Sequence, residues 1–250
     1  MIRNMVASAL IAGCAAWLLA AVLHFAFVQK LILLGEAYES GQVVHFQAAG
    51  PAADDTATAA DADAHSHDDG AQGADGHAHG TGDDTSDLTR NFWTAVFFGL
   101  VYVAYAMILV AGFGLARVYG RAIDAPVGVL WGIAAFAAFQ LVPAMGLAPE
   151  LPGTIAADLG DRQVWWWGTV VATGLGLALV GYGRGVLPRV AAVVILALPH
   201  VIGAPELGEY LGTAPPEVGA AFSARVLGAG LAVWALLGGV AGYVWQQGNR

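Results

Sequence analysis

Lysine occurs once in these 250 residues, at Lys30, where glutamine precedes it, so the sequence holds no Gly-Lys-Ser/Thr phosphate-binding loop. Cysteine also occurs once, at Cys14 inside an apolar run, which excludes an intrachain disulfide and leaves the redox compartment open. There is no His-Glu-x-x-His helix and no Gly-x-Ser-x-Gly elbow, and the serines have no convincing nucleophile setting. An enzyme is therefore not expected, nor a tightly bound cofactor. Charge is scarce as well: 12% of residues are charged, about half the share usual in soluble domains. A formal net charge of −9 argues against nucleic acid as a partner.

What fills the chain is apolar. At 58% hydrophobic residues it reads as an integral membrane protein whose partner is the lipid bilayer. Runs at 5–28, 92–116, 127–147, 164–183 and 220–243 reach the roughly 20 residues that cross a bilayer, and 187–203 is a shorter sixth. The expected fold is an all-α polytopic bundle of six transmembrane helices, or five if 187–203 is re-entrant. The first run is expected to be an uncleaved helix, because it is long for a signal peptide and lacks a small-residue cleavage site nearby. Trp93 and Trp165–Trp167 open helices at one interface, and Tyr119, Tyr243 and Trp245 lie near the other.

With six spans, both termini share one side with the loops that carry Arg3, Arg117, Arg121, Arg184, Arg189 and Arg250. By the positive-inside rule that side is cytoplasmic, and a bacterial inner membrane is the expected location. Every acidic residue except Asp124 then falls on the external side.

Residues 41–90 break the apolar pattern. From 48 to 87 there is no Val, Ile, Leu, Phe, Tyr or Trp to bury, so this segment is expected to be a disordered external loop between the first helix with its outer extension (1–40), where Glu36 and Glu39 lie past the helix as surface charge, and the main bundle (91–250). It carries His65-Ser-His67-Asp-Asp and Gly-His77-Ala-His79-Gly. Imidazole and carboxylate together bind borderline divalent metals such as Co²⁺, Ni²⁺ and Zn²⁺. On a flexible tether they collect ions exchangeably rather than hold one in a fixed site. The competing reading is a solubilising loop.

Two stretches resemble each other: Pro143-Ala-Met-Gly-Leu-Ala-Pro149-Glu150-Leu151 and Pro199-His200-Val-Ile-Gly-Ala-Pro205-Glu206-Leu207. A parallel helix-pair repeat, 127–183 and 187–245, follows from their register. A proline inside a helix frees a backbone carbonyl, and Ala-Pro-Glu then places a carboxylate where the chain emerges. His200 and, in the first helix, His24 are ionisable groups within spans, each either a station on a metal path or a satisfied packing histidine. His24, His200, Glu150, Glu206, Gln140 and Met145 are the candidates for one outward-facing vestibule. Arg225 is expected to pair with one of the glutamates or to reach the interface.

The N-terminal helix with Ala-Ala-Val-Leu-His24-Phe, the acidic His-rich loop, Ala148-Pro-Glu-Leu-Pro-Gly153 after a third helix and the later Leu198-Pro199-His200 resemble the CbtA family of cobalt transporter subunits over nearly the whole chain. The resemblance implies cobalt uptake linked to cobalamin supply and a small single-span partner subunit, CbtB. It supplies no ligand set. The expected function is thus a membrane subunit for divalent metal uptake, with Co²⁺ as substrate. The metal residues expected are His65, His67, His77, His79, His24, His200, Glu150 and Glu206. The alternatives are a Ni²⁺ or Zn²⁺ transporter, or a metal-binding scaffold that conducts nothing. Deletion of Asp54–Asp87 is expected to lower uptake when metal is scarce and to preserve it when metal is plentiful; total loss would show that the loop does more than concentrate ions.

Overall fold

A computed structural model describes residues 2–44, 84–209 and 211–248. Among them six helices follow one another: α1 Ile2–Glu39, α2 Asp84–Val118, α3 Ala125–Ala144, α4 Leu159–Tyr182, α5 Val186–Ile202 and α6 Pro216–Gln247. Extended pairing among these residues is confined to one bridge, Thr154 with Gly212. The all-α expectation holds. All the helices except α5 are long and apolar enough to cross a bilayer; α5, with 17 residues, is about 26 Å long.

Local chemistry sets several boundaries. Asp124 caps α3, its Oδ1 accepting from Val127 N at 2.9 Å, with a proline in the first turn. Asp158 caps α4 by accepting from Gly160 N at 2.8 Å. Gly203, at φ +89°, ends α5, a conformation that side chains rarely adopt. Two boundaries differ from the sequence expectation. α1 runs on to Glu39, so Glu36 and Glu39 sit on the helix rather than beyond it. α2 starts at Asp84, several residues before its apolar run, and its first turns are held by Arg90 pairing with Asp87 at 3.1 Å and with Glu36 of α1 at 3.5 Å. A deletion that spares this helix therefore stops at Gly82.

The Asn4 amide of α1 donates to the Gly248 carbonyl just past α6, so the chain enters and leaves the bundle at the same end. α5 accordingly carries the chain back alongside α4.

The tightest packing is between α3 and α6. A Cβ on Gly132 would strike the carbonyl oxygen of Trp234, one on Gly128 that of Gly238, one on Gly238 that of Gly128 and one on Gly242 that of Asp124. Gly128-x-x-x-Gly132 and Gly238-x-x-x-Gly242 thus bring two backbones into direct contact. α1 is seated beside them through a face of small residues, Ala9, Ala12, Gly13, Ala16 and Ala20, all buried against α2 and α6. A Cβ on Gly13 would lie 2.8 Å from Val103 Cα of α2. Trp234, Phe113 and Leu237 fill the centre, each no more than 1% exposed.

α5 packs on α4 alone among the described helices, with Leu196 over Gly176. The closest partners are thus α3 with α6 and α4 with α5; α3 also meets α4, whereas α5 and α6 do not touch.

Gly132→Ala is expected to destabilise the bundle by about 1–3 kcal/mol through overpacking, read as a lower melting temperature in detergent. Gly228→Ala, whose new Cβ meets nothing within 4 Å, serves as the control that keeps its melting temperature. Equal melting temperatures for both variants would show that the backbone contact is dispensable.

Candidate functional site

Two helices are widened by π-turns, His24–Val28 in α1 and Ala137–Leu141 in α3. The second has a clear cause. Pro143 has no N–H to offer, and its ring would crowd the carbonyl four residues back, at Phe139, so the extra residue in the turn relieves both conflicts. In α1, the Phe27 carbonyl within the π-turn accepts a hydrogen bond from Arg225 Nη1 of α6 at 2.9 Å. Arg225 therefore bonds the backbone of the π-turn and forms no ion pair with a glutamate among the described residues.

The α3 break opens a cavity of about 360 Å³ between the end of α3, the start of α4 and α6. Its polar lining is Gln140, Glu150, Arg162 and Gln163; Phe139, Pro143 and Trp166 are among the apolar walls. Glu150 Oε2 accepts from Arg162 Nη2 at 2.7 Å, in a pair about one-third exposed. Gln140 Oε1 is buried against Gly230 of α6 and has no hydrogen-bond partner, and neither has Arg162 Nε. Unpaired buried polar atoms cost stability; Ser8 Oγ, Thr173 Oγ1 and Trp234 Nε1 are three more among the described residues, so what sets this chamber apart is the coincidence of such atoms with an ion pair.

The two proline motifs converge on Trp165. Its indole N–H donates to the Pro199 carbonyl at 3.1 Å, while a Cβ on Gly146 would meet both the Trp165 ring, at 2.6 Å, and Ala204 Cβ, at 2.9 Å. Below them Ser223 Oγ donates to the Pro149 carbonyl at 2.7 Å, and Leu151 packs with Val28 and Phe222. α1, α6 and both motifs are tied together there.

The sequence-selected residues are distributed as follows. Glu150 and Gln140 share the chamber. Half-buried His24, first in its π-turn, presents its ring to the edge of Phe98, 5.0 Å between centroids. Half-buried His200 lies beside Trp165, at 6.0 Å. The helices that carry these two histidines do not touch. Glu206 and Met145 are exposed. His65, His67, His77 and His79 lie outside the described residues. Among the described residues no three His, Cys, Asp or Glu side chains gather closely enough to hold a metal ion. Arg162 and Gln163 were not singled out from sequence; their place directly after a capped helix start, opposite Ala-Pro-Glu, was the available signal.

A bundle of apolar helices, all but α5 long enough to cross a bilayer, with a chamber at one end whose mainly apolar wall carries four polar side chains, defines a polytopic helical membrane protein. The family model described as "Probable cobalt transporter subunit (CbtA)" matches residues 2–246, nearly the entire chain, and the chain belongs to that family. Comparison with the curated proteins and with the solved structures found no match.

Trp165→Phe removes the N–H to Pro199 and the part of the indole that lies against Gly146. The Pro199 carbonyl still accepts from Gly203 N, so the hydrogen bond accounts for about 1 kcal/mol and the lost packing adds to it, measurable as a drop in melting temperature. No drop would mean that neither contact holds the two motifs.

Proposed function

We propose that this chain is the membrane-embedded subunit of a Co²⁺ uptake system in the bacterial inner membrane, with both termini cytoplasmic and residues 41–90 external. The family supports the substrate, and the arginine distribution supports the sidedness. His65, His67, His77 and His79 gather the ion outside, and it then passes to the chamber that Glu150 lines. The chamber is the observation that carries this reading: it is the place where a carboxylate, an amide oxygen without a partner and a break in a helix coincide. Arg162 neutralises Glu150 at rest. An arriving dication displaces the guanidinium, so that the site is engaged only when the ion is present. His24, His200 and Glu206 act as separate stations rather than one closed site, which suits a cargo that has to leave again. Inward movement of a dication gains roughly 4.6 kcal/mol per 100 mV of membrane potential. The donor set would also accept Ni²⁺ or Zn²⁺, since intrinsic affinity does not favour cobalt.

A second reading is favoured by the absence of any three-donor cluster among the described residues. In it this chain binds metal and scaffolds, while a small single-span CbtB-like subunit completes the path.

Co²⁺ uptake into proteoliposomes holding the chain alone, and then with its partner, separates the two. On the first reading the chain alone transports, Glu150→Gln lowers the rate roughly tenfold, a loss of about 1.4 kcal/mol, and Glu206→Ala lowers it by less. Wild-type rates in Glu150→Gln would remove the chamber from the path. Transport only with the partner present would establish the second reading.

A further inference from the structure

A second cavity, of about 680 Å³, lies toward the opposite end of the bundle. α4 meets α3 mainly through the π-turn and Val142–Ala144 and makes no contact with α1, α2 or α6, so it splays away from the first half of α3. The wedge left open is walled by Leu130, Trp131 and Ala135 of α3 and by Gly174, Ala178 and Gly181 of α4, with Trp234 among its lining residues. At its far end Arg121 lies across the ring of Tyr182, 5.4 Å from the centroid. Its guanidinium forms no ion pair among the described residues.

The exposed cation selects the occupant. The α4 wall from Gly174 to Tyr182 is about 12 Å long, a groove that an acyl chain can follow. An apolar wedge closed by an exposed arginine is complementary to an amphiphile with an anionic head, since a guanidinium forks onto phosphate oxygens and basic pockets between membrane helices hold such headgroups. We propose that this wedge binds one anionic phospholipid, an acyl chain lying against Gly174–Gly181 and the phosphate on Arg121. The lipid takes the place of the helix contact that α4 lacks, and it tethers the α4–α5 pair to the rest of the bundle.

Native mass spectrometry of the purified full chain in detergent, titrated with phosphatidylglycerol or phosphatidylcholine, tests this. The wild type is expected to retain one phosphatidylglycerol in preference to phosphatidylcholine, roughly fivefold for one arginine, and Arg121→Gln to abolish the preference. Gly181→Leu and Gly174→Leu, whose side chains enter open space, are expected to reduce retention of both lipids. Gly168→Leu, on the same helix but outside the wedge, should leave retention unchanged. The proposal is overturned by equal binding of the two lipids to the wild type, by a preference that survives Arg121→Gln, by undiminished retention in both wedge-filling variants, or by a dimer that these variants dissolve.

Discussion

Within hydrocarbon, apolar side chains gain little by leaving lipid for protein, so the approach of backbone to backbone has to supply much of what holds helices together. In this chain that approach is the meeting of Gly128 and Gly132 with Gly238 and Gly242, where no atom beyond Cα separates two helices. Everything central is referred to it. Trp234, four residues before Gly238, is carried into the middle of the bundle, where it stacks on Phe139 at 13° between ring planes and meets Tyr105 at 4.8 Å. The small face of α1 then closes against α6 and α2, and Trp17 fixes that seam by donating to the Ala95 carbonyl at 2.7 Å.

The polar groups follow from where the helices are interrupted. Prolines and π-turns concentrate toward one end, and backbone carbonyls there accept side-chain donors from other elements: Phe27 from Arg225, Pro199 from Trp165 and Pro149 from Ser223. Gln140 is the exception, with an oxygen buried and unanswered beside the Glu150–Arg162 pair. The same break that opens the chamber is also where α4 is anchored to α3. The chamber at one end and the wedge at the other are therefore two results of a single crossing between α3 and α4.

For a metal pathway the arrangement is sparse. Glu150 is already charge-paired, His24 sits edge-on to aromatic rings, and His200 shares its surroundings with Trp165. Single donors spaced apart hold a hydrated or partly stripped ion weakly, which is the condition for moving it onward rather than storing it.

Hydropathy alone delimited the six helices to within several residues at most ends, because crossing about 30 Å of lipid demands continuous apolar sequence. It also exposed the His-rich segment and the paired Pro-Glu motifs, since both violate the local composition. The glycine pairs at 128 and 132 and at 238 and 242 each stand in the sequence at the same spacing, but a glycine's neighbour across an interface leaves no mark in its own segment, so their meeting was not legible there. The overrun of α1 to Glu39 and the early start of α2 were hidden for a related reason: Arg90 joins the two helices through Glu36, 54 positions away, besides pairing with Asp87 in its own helix. The same holds for the chamber. Glu150 stood out as a carboxylate at a helix end, but its neutralisation by Arg162, the company of Gln140 and the separation of His24 from His200 depend on which helices cross and at what depth. Those are relations between segments, and they arise only when the backbones pack.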